Sequence, residues 1–256
     1  MGKTFKEKLK NAEKTIGIFL KTFDEPDIAK LIKNCGFDFF VLDNEHGFFD
    51  YNRMKNLMLY AKAIDMFSMV RIPEVSREVV LKCMEMGAGG LILPNTESVK
   101  QAQDLVRYSK YSPMGDRGVS LFGVHSHYES INNVEYMKKA NYETVLCVQI
   151  ESPLGLENLP DIMSIDGIDF AFVGPADYTQ SMGIPGKVDD PEFLNHMERL
   201  IEICKNAGKV AGIHGGTVEA ITEWYNRGMT VNTGQSEVGY FLNAAKGFVE
   251  QTKAKF

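Results

Sequence analysis

A chain of 256 residues, 44% hydrophobic and 24% charged, has an ordinary globular make-up and is long enough for one large domain. Its formal charge of −6 and lack of a basic stretch exclude a protein built around nucleic acid. The apolar runs reach only about eight residues, too short to cross a bilayer, and the opening MGKTFKEKLKNAEK lacks the apolar core of a secretory leader.

That opening reads as a charged helical arm. Eight short apolar runs follow: TIGIFL (15–20), FDFFVLD (37–43), FSMVRIP (67–73), GGLILPN (89–95), ETVLCVQIE (143–151), IDFAFVGP (168–175), VAGIHGG (210–216) and MTVNTGQ (229–235). They are rich in β-branched and aromatic residues and apolar on both faces, as parallel strands covered by helices are. Helical patterns alternate with them. The first, at 24–36, carries Pro26 in its first turn and stops at Gly36; others lie at 51–65, 76–87, 98–110, 156–164, 191–208 and 218–228. The last, from 237 to the end, shows a wide apolar stripe of Val238, Phe241, Leu242, Ala245, Phe248 and Val249. Eight strands alternating with helices predict an α/β fold, a single (β/α)8 TIM barrel over 1–256 with an extended C-terminal helix. An open doubly wound sheet is the alternative.

One connection is unusually long. About 35 residues separate Ser109 from the strand at Glu143, as in a lid, a binding loop or a small excursion, with a short helix expected at NVEYMKKA (133–140). Cys35, Cys83, Cys147 and Cys204 have no paired spacing and lie in or beside apolar segments. Reduced, buried thiols in a cytoplasmic protein are therefore expected.

Barrel chemistry sits at the carboxyl ends of the strands. There the second strand offers Asp43, Glu45 and His46; the third, Arg71; the fourth, Asn95; the fifth, Gln149 and Glu151. The sixth offers Asp177, the seventh His214, and the eighth Asn232, Thr233 and Gln235. Glu151 and Asp177 end neighbouring strands, about 5 Å apart in a sheet, and two oxygen ligands suit a hard divalent ion. The alternative is that each merely caps a turn. By this reading no strand ends on a lysine, so carbonyl chemistry would need a metal rather than a Schiff base as its electrophile.

DNEH after the second strand, VRIP, GAGGLILPNTES, YSPMGDRGVS, VQIE and FVGPADYTQSMG occur in the order of the HpcH/HpaI family of metal-dependent pyruvate aldolases, which the chain resembles from about 15 to 228. The resemblance implies a (β/α)8 barrel that cleaves a 4-hydroxy-2-oxo acid into pyruvate and an aldehyde. It implies Glu151 and Asp177 as ligands of a divalent metal (Mg²⁺, Mn²⁺ or Co²⁺) and Arg71 on the keto oxygen. His46 would be the acid/base, with Asp43 as its carboxylate partner fixing the imidazole tautomer. Gln149 would lie beside the metal, and Gly174, Pro175 and Ala176 against the substrate. It also implies a homohexamer built from dimers that exchange the last helix, about 236–254. Malyl- or citramalyl-thioester cleavage, or mere 2-oxo-acid binding, are the alternative functions.

Some positions depart from the family. Glu85 replaces an aspartate near a neighbouring subunit's site. His214 replaces an apolar residue facing the substrate tail, where it would greet an anionic or hydroxylated group or serve a structural role. The eighth strand is unusually polar at Asn232, Thr233 and Gln235. His125 and His127 form an H-x-H in the long loop, read as structural for want of a third ligand, and His196 in a polar helix is expected to be solvated.

Overall fold

The computed structural model describes residues 3–129 and 132–256. Eight parallel strands close into a barrel in chain order. They are β1 (Thr15–Leu20), β2 (Phe39–Asp43), β3 (Phe67–Arg71), β4 (Gly90–Leu93), β5 (Val145–Ile150), β6 (Phe170–Val173), β7 (Val210–Gly216) and β8 (Met229–Ser236). The helices are α1 (Phe5–Lys10), α2 (Ile28–Asn34), α3 (Tyr51–Ala63), α4 (Arg77–Glu85), α5 (Val99–Ser109) and α6 (Asn133–Glu143). Then come α7 (Pro153–Met163), α8 (Pro175–Ser181), α9 (Pro191–Asn206), α10 (Val218–Arg227) and α11 (Glu237–Lys253). The alternating pattern thus closes as a barrel, and the open sheet is excluded.

Burial falls in two layers. Phe39, Val41, Met69, Ile92, Val145, Cys147, Phe170, Phe172 and Val231 fill the barrel interior, while the opposite faces of the strands pack on the helices. This is why the runs are apolar on both faces. Close packing appears at Gly17, where a Cβ would lie 2.4 Å from the Phe39 ring.

The charged opening proves to be a plug. Thr4 caps α1 in a capping box with Glu7, and the helix buries Phe5 and Leu9 against the barrel bottom. The Phe5 ring stacks 4.3 Å from Phe67, while Lys6 and Lys8 pair with Asp169 and Asp38 beside the strand starts. The charged helical arm is thus a helix whose charges frame an apolar seal.

The long connection leads from α5 to β5. A segment that leaves a barrel helix and enters a strand lies at the amino-terminal end of the strands, away from the mouth. It therefore cannot be a lid over this subunit's own site. Buried Lys110 ties it down, donating to the Asn141 and Thr144 carbonyls at 2.7 and 2.6 Å, and α6 forms where NVEYMKKA predicts. Here too lies Glu85, 3.2 Å from Arg117 and 3.5 Å from the buried His125 ring, while His127 is exposed in a left-handed turn. The two H-x-H histidines thus sit in different surroundings, one buried beside Glu85 and the other exposed.

Cys83, Cys147 and Cys204 are buried and free, and burial pushes Cys83 and Cys204 up to about 12, leaving inert thiols. Cys35 is the exception to the expected burial. It caps α2 at the surface. His196 is not simply solvated either, since its Nδ1 sits 3.0 Å from the Tyr178 hydroxyl.

Candidate active site

At the carboxyl ends of the strands a cleft of ≈ 340 Å³ opens, small but of ligand size. One side is organised around Asp43. β2 and β3 pair so that Asp43 stands opposite Arg71. The two form a bidentate ion pair, with Nε donating to Oδ1 at 2.9 Å and Nη2 to Oδ2 at 2.6 Å. Arg71 Nη1 lies 3.1 Å from Glu45 Oε2, and the guanidinium sits over the Phe19 ring at 5.0 Å. Asp43 is fully buried. Burial works against its anion, but the hydrogen bonds and charge of Arg71 outweigh it and hold the carboxyl below its ordinary range.

This arrangement corrects one expectation. Asp43 does not touch the His46 imidazole; its Oδ1 accepts the backbone N–H groups of Glu45 and His46, each at 3.2 Å. The carboxylate thus folds the turn that carries His46 and orients Arg71 instead of fixing a tautomer. The exposed His46 ring lies 3.9 Å from Glu45 Oε2 and faces the cleft.

The other side is organised around Glu151, 4% exposed at the end of β5. Its Oε1 accepts from Gln149 Nε2 at 2.7 Å and its Oε2 from the Asn95 N–H at 2.9 Å. Asn95 turns that N–H inward by adopting φ 46, which asparagine tolerates better than most residues. Gly174 closes over the carboxylate, because a Cβ there would come within 2.3 Å of Glu151 Oε1 and 2.9 Å of Gln149 Nε2. Gly174, Pro175 and Ala176 form the cleft wall, and Asp177 faces the cleft from the first turn of α8.

Burial pushes the Glu151 carboxyl up to about 7, with Asp177 and Glu45 adding to it against the Asn95 N–H and Arg71. Burial also raises Glu45, with Asp43 and Asp177 adding to it. Carboxylates that resist ionising beside one another are what a hard divalent cation reverses, so this donor set fits one. Gln149 Oε1 is buried without a hydrogen-bond partner, and Glu45 Oε2 has the Arg71 ion pair but no well-aligned hydrogen bond. Among the described residues no cluster of three or more metal-binding side chains occurs, so protein ligation would rest on the Glu151–Asp177 pair.

The remaining wall comes from β7, β8 and β1. His214 packs edge-on against Phe19 and places Nδ1 2.9 Å from Thr233 Oγ1. Burial, with Lys21 and Arg71 nearby, lowers it to about 4, so it is neutral at pH 7. Asn232 is structural, accepting the Ile213 N–H at 3.2 Å, and Gln235 turns away to Asn243 at 2.8 Å.

A further residue contradicts the expectation that no strand ends on a lysine. Lys21 directly follows β1 and lines the cleft, its Nζ 3.7 Å from Asp43 Oδ2. The signal was present in the sequence, since Lys21 is the next letter after TIGIFL. Its side chain is 41% exposed, unlike the desolvated amine that Schiff-base formation favours. We expect borohydride with pyruvate to leave the protein mass unchanged; a stable pyruvyl adduct in the mass spectrum would reverse that conclusion.

The closed barrel carries carboxylates, an arginine and a histidine at the carboxyl ends of its strands, where (β/α)8 enzymes hold their active sites. A family model for HpcH/HpaI aldolase/citrate lyase matches residues 15–236, and the chain belongs to that family of lyases. A hydroxypyruvate/pyruvate aldolase of Roseobacter denitrificans is 32% identical over 254 residues, 98% of this chain and 97% of the relative. A 2-keto-3-deoxy-L-rhamnonate aldolase of Salmonella gallinarum is 32% identical over 212 residues, covering 81% and 77%. Among solved structures, an HpcH/HpaI aldolase from Desulfitobacterium hafniense superposes with TM-score 0.93 at 26% identity, covering 98% and 97% of the two chains.

Proposed function

We propose that this enzyme is a divalent-metal-dependent aldolase that reversibly cleaves a 4-hydroxy-2-oxo acid into pyruvate and an aldehyde. What supports this reading is a buried Glu151 in an HpcH/HpaI barrel whose carboxyl feels the charges of Asp177 and Arg71, with Asp177 and the fixed Arg71 guanidinium both lining the cleft. Glu151 and Asp177 would hold the cation, which would supply a Lewis acid for the 2-oxo group when bound. Arg71, held by Asp43 and Glu45, donates to the keto oxygen as negative charge grows there during C3–C4 cleavage. Gln149 and the Gly174–Ala176 wall position the keto acid. His46 takes the proton from the C4 hydroxyl, directly or through one water, and returns it in the aldol direction.

The test is a panel of aldehydes with pyruvate, using protein stripped of metal and restored with Mg²⁺, Mn²⁺ or Co²⁺ in turn. Activity should vanish on stripping and return on restoration; undiminished turnover after exhaustive chelation overturns the reading. His46→Ala should lower cleavage about 10²-fold or more, as loss of a general acid/base does, and wild-type turnover in that variant removes His46 from the mechanism.

Ligation needs the Glu151 carboxylate, whose proton is held up to about 7. Apparent metal affinity should therefore rise about tenfold per pH unit below that value and flatten above it, as read by calorimetry. A flat profile between pH 5 and 8 would remove Glu151 from the ligand set.

The same proposal includes a homohexamer in which α11 packs on a neighbouring subunit. Phe241 and Phe248 are 59% and 72% exposed on this helix, and a lone surface seldom presents such a stripe. Light scattering reads the assembly directly. A cytoplasmic setting is supported by the free thiols, and no described helix is long and apolar enough to cross a membrane.

A further inference from the structure

The ladder between the first and last strands breaks off at the mouth. β1 pairs with β8 as Thr15–Val231, Ile16–Asn232 and Gly17–Thr233, slips by one residue, and meets it last at Phe19–Ser236. Ser236 ends β8, and Leu20, opposite Leu42 of β2, ends β1. We propose that Glu237, which opens α11, takes over where the strands stop and is a positioning residue for Arg71. The inference rests on the aldolase reading, in which Arg71 meets the keto oxygen, and adds to it what keeps the guanidinium in place.

Glu237 receives the donors that the ladder no longer uses. The consecutive N–H groups of Lys21, Thr22 and Phe23 all donate to its Oε1, at 2.8, 2.6 and 3.0 Å. Converging backbone N–H groups make a concavity suited to a carboxylate, and a buried one needs such donors to offset its lost water. Glu237 is 5% exposed, and its Oε2 has no hydrogen-bond partner among the described residues, so these three donors hold the carboxylate. One turn further along α11, the Phe241 ring meets Phe23 edge-on at 6.1 Å. The start of α11 thus clamps the exit of β1 by a carboxylate and by an aromatic contact.

Two side chains at that exit touch the Arg71–Asp43 pair. The Phe19 ring lies 5.0 Å from the guanidinium carbon, and Lys21 Nζ lies 3.7 Å from Asp43 Oδ2. The two hydrogen bonds to Asp43 hold the guanidinium within the plane of the pair and do less against tilting out of it. A ring face against the cation closes that tilt from one side, and the buried setting of Phe19 strengthens the contact. Phe172 and His214 flank the same ring at 6.2 and 5.7 Å, so its remaining freedom lies in the main chain that carries it. Glu237 fixes that main chain two residues on. Misplacing a catalytic group by about 1 Å can cost about 10²-fold; with the grip of Asp43 kept, release of the clamp should cost about tenfold.

The experiment follows exchange of the pyruvate methyl protons in D₂O, which needs no aldehyde, at saturating metal. Glu237→Ala should lower kcat about tenfold with a smaller change in KM, and Glu237→Gln, which keeps an acceptor oxygen for the three N–H groups, should recover most of the loss. In an Arg71→Ala background the Glu237→Ala change should alter kcat by less than about twofold, since residues acting through one another are not additive. Phe19→Leu, which removes the ring and keeps apolar bulk, should reproduce the loss and serves where Glu237→Ala does not fold. Unchanged kcat in folded Glu237→Ala, or in Phe19→Leu where that variant does not fold, overturns the assignment. So does the full loss repeated on top of Arg71→Ala, which a merely structural role would give. Wild-type exchange that needs Arg71 but not Glu237 sinks the clamp alone. No exchange by the wild type, or exchange that Arg71→Ala leaves intact, sinks the reading beneath and the clamp with it.

Discussion

Arg71→Ala is expected to lower kcat/KM for aldol cleavage by about 10³-fold, with kcat taking most of the loss. Removing one preorganised donor to a developing oxyanion costs about 10²–10³ in rate, and Arg71 brings a full charge as well. The variant should also be less stable. Asp43 has no exposed surface, and without Arg71 it keeps only two backbone N–H groups and Lys21 at 3.7 Å; breaking a buried pair costs up to about 3–5 kcal/mol, and those remaining contacts put the loss toward the lower end. Lys at this position separates the two effects. It restores a charge near Asp43 but not the fork that meets both carboxylate oxygens, so urea unfolding should recover further than turnover. If Arg71→Ala kept wild-type kcat, the guanidinium would be a strut between β2 and β3 and no more.

Glu151→Gln should have the other large effect, about 10³-fold on kcat/KM through lost metal affinity, read independently by calorimetry. Its signature in stability has the opposite sign. The Glu151 carboxyl is held up to about 7 from an ordinary 4.5, so the metal-free folded chain keeps a proton there that the unfolded chain has already lost. Stability tied to that proton is complete below about pH 4.5 and is lost as pH rises through about 7. The amide avoids this loss. Metal-free Glu151→Gln should therefore melt at or above the wild type at pH 8, while losing the rise in Tm that added Mn²⁺ gives the wild type. A variant that still gains stability from Mn²⁺ would place the ion elsewhere.

Much of the barrel could be read from the sequence because its strands are covered on both faces, which makes each a short, dense apolar run. The β2 run FVLD ends in polar groups because its last residue leaves the packed interior and enters the mouth. What the sequence concealed depends on register and on chain direction. Asp43 has both Arg71 and His46 within plausible reach, and only the pairing of β2 with β3 selects Arg71. The long connection looks like a lid until its path from helix to strand puts it at the far end. Phe5 and Leu9 were hidden among the lysines and glutamates of α1, since two apolar residues make no visible period. Lys21 is the one residue between the TIGIFL run and a stretch of mixed polar residues, and only the closing of β1 against β8 brings it to the mouth. Cys35 sits near an apolar run but on the outer end of α2, where neighbouring hydrophobicity says nothing about exposure.

The Glu237 clamp makes the two ends of the polypeptide's barrel mechanically dependent. The first strand's exit and the last helix's entry share one carboxylate oxygen, so a shift at the start of α11 is passed to the main chain of Lys21, a residue that lines the cleft. A change at the start of α11 therefore reaches the wall of the cleft through the main chain, while every side chain in the cleft stays the same.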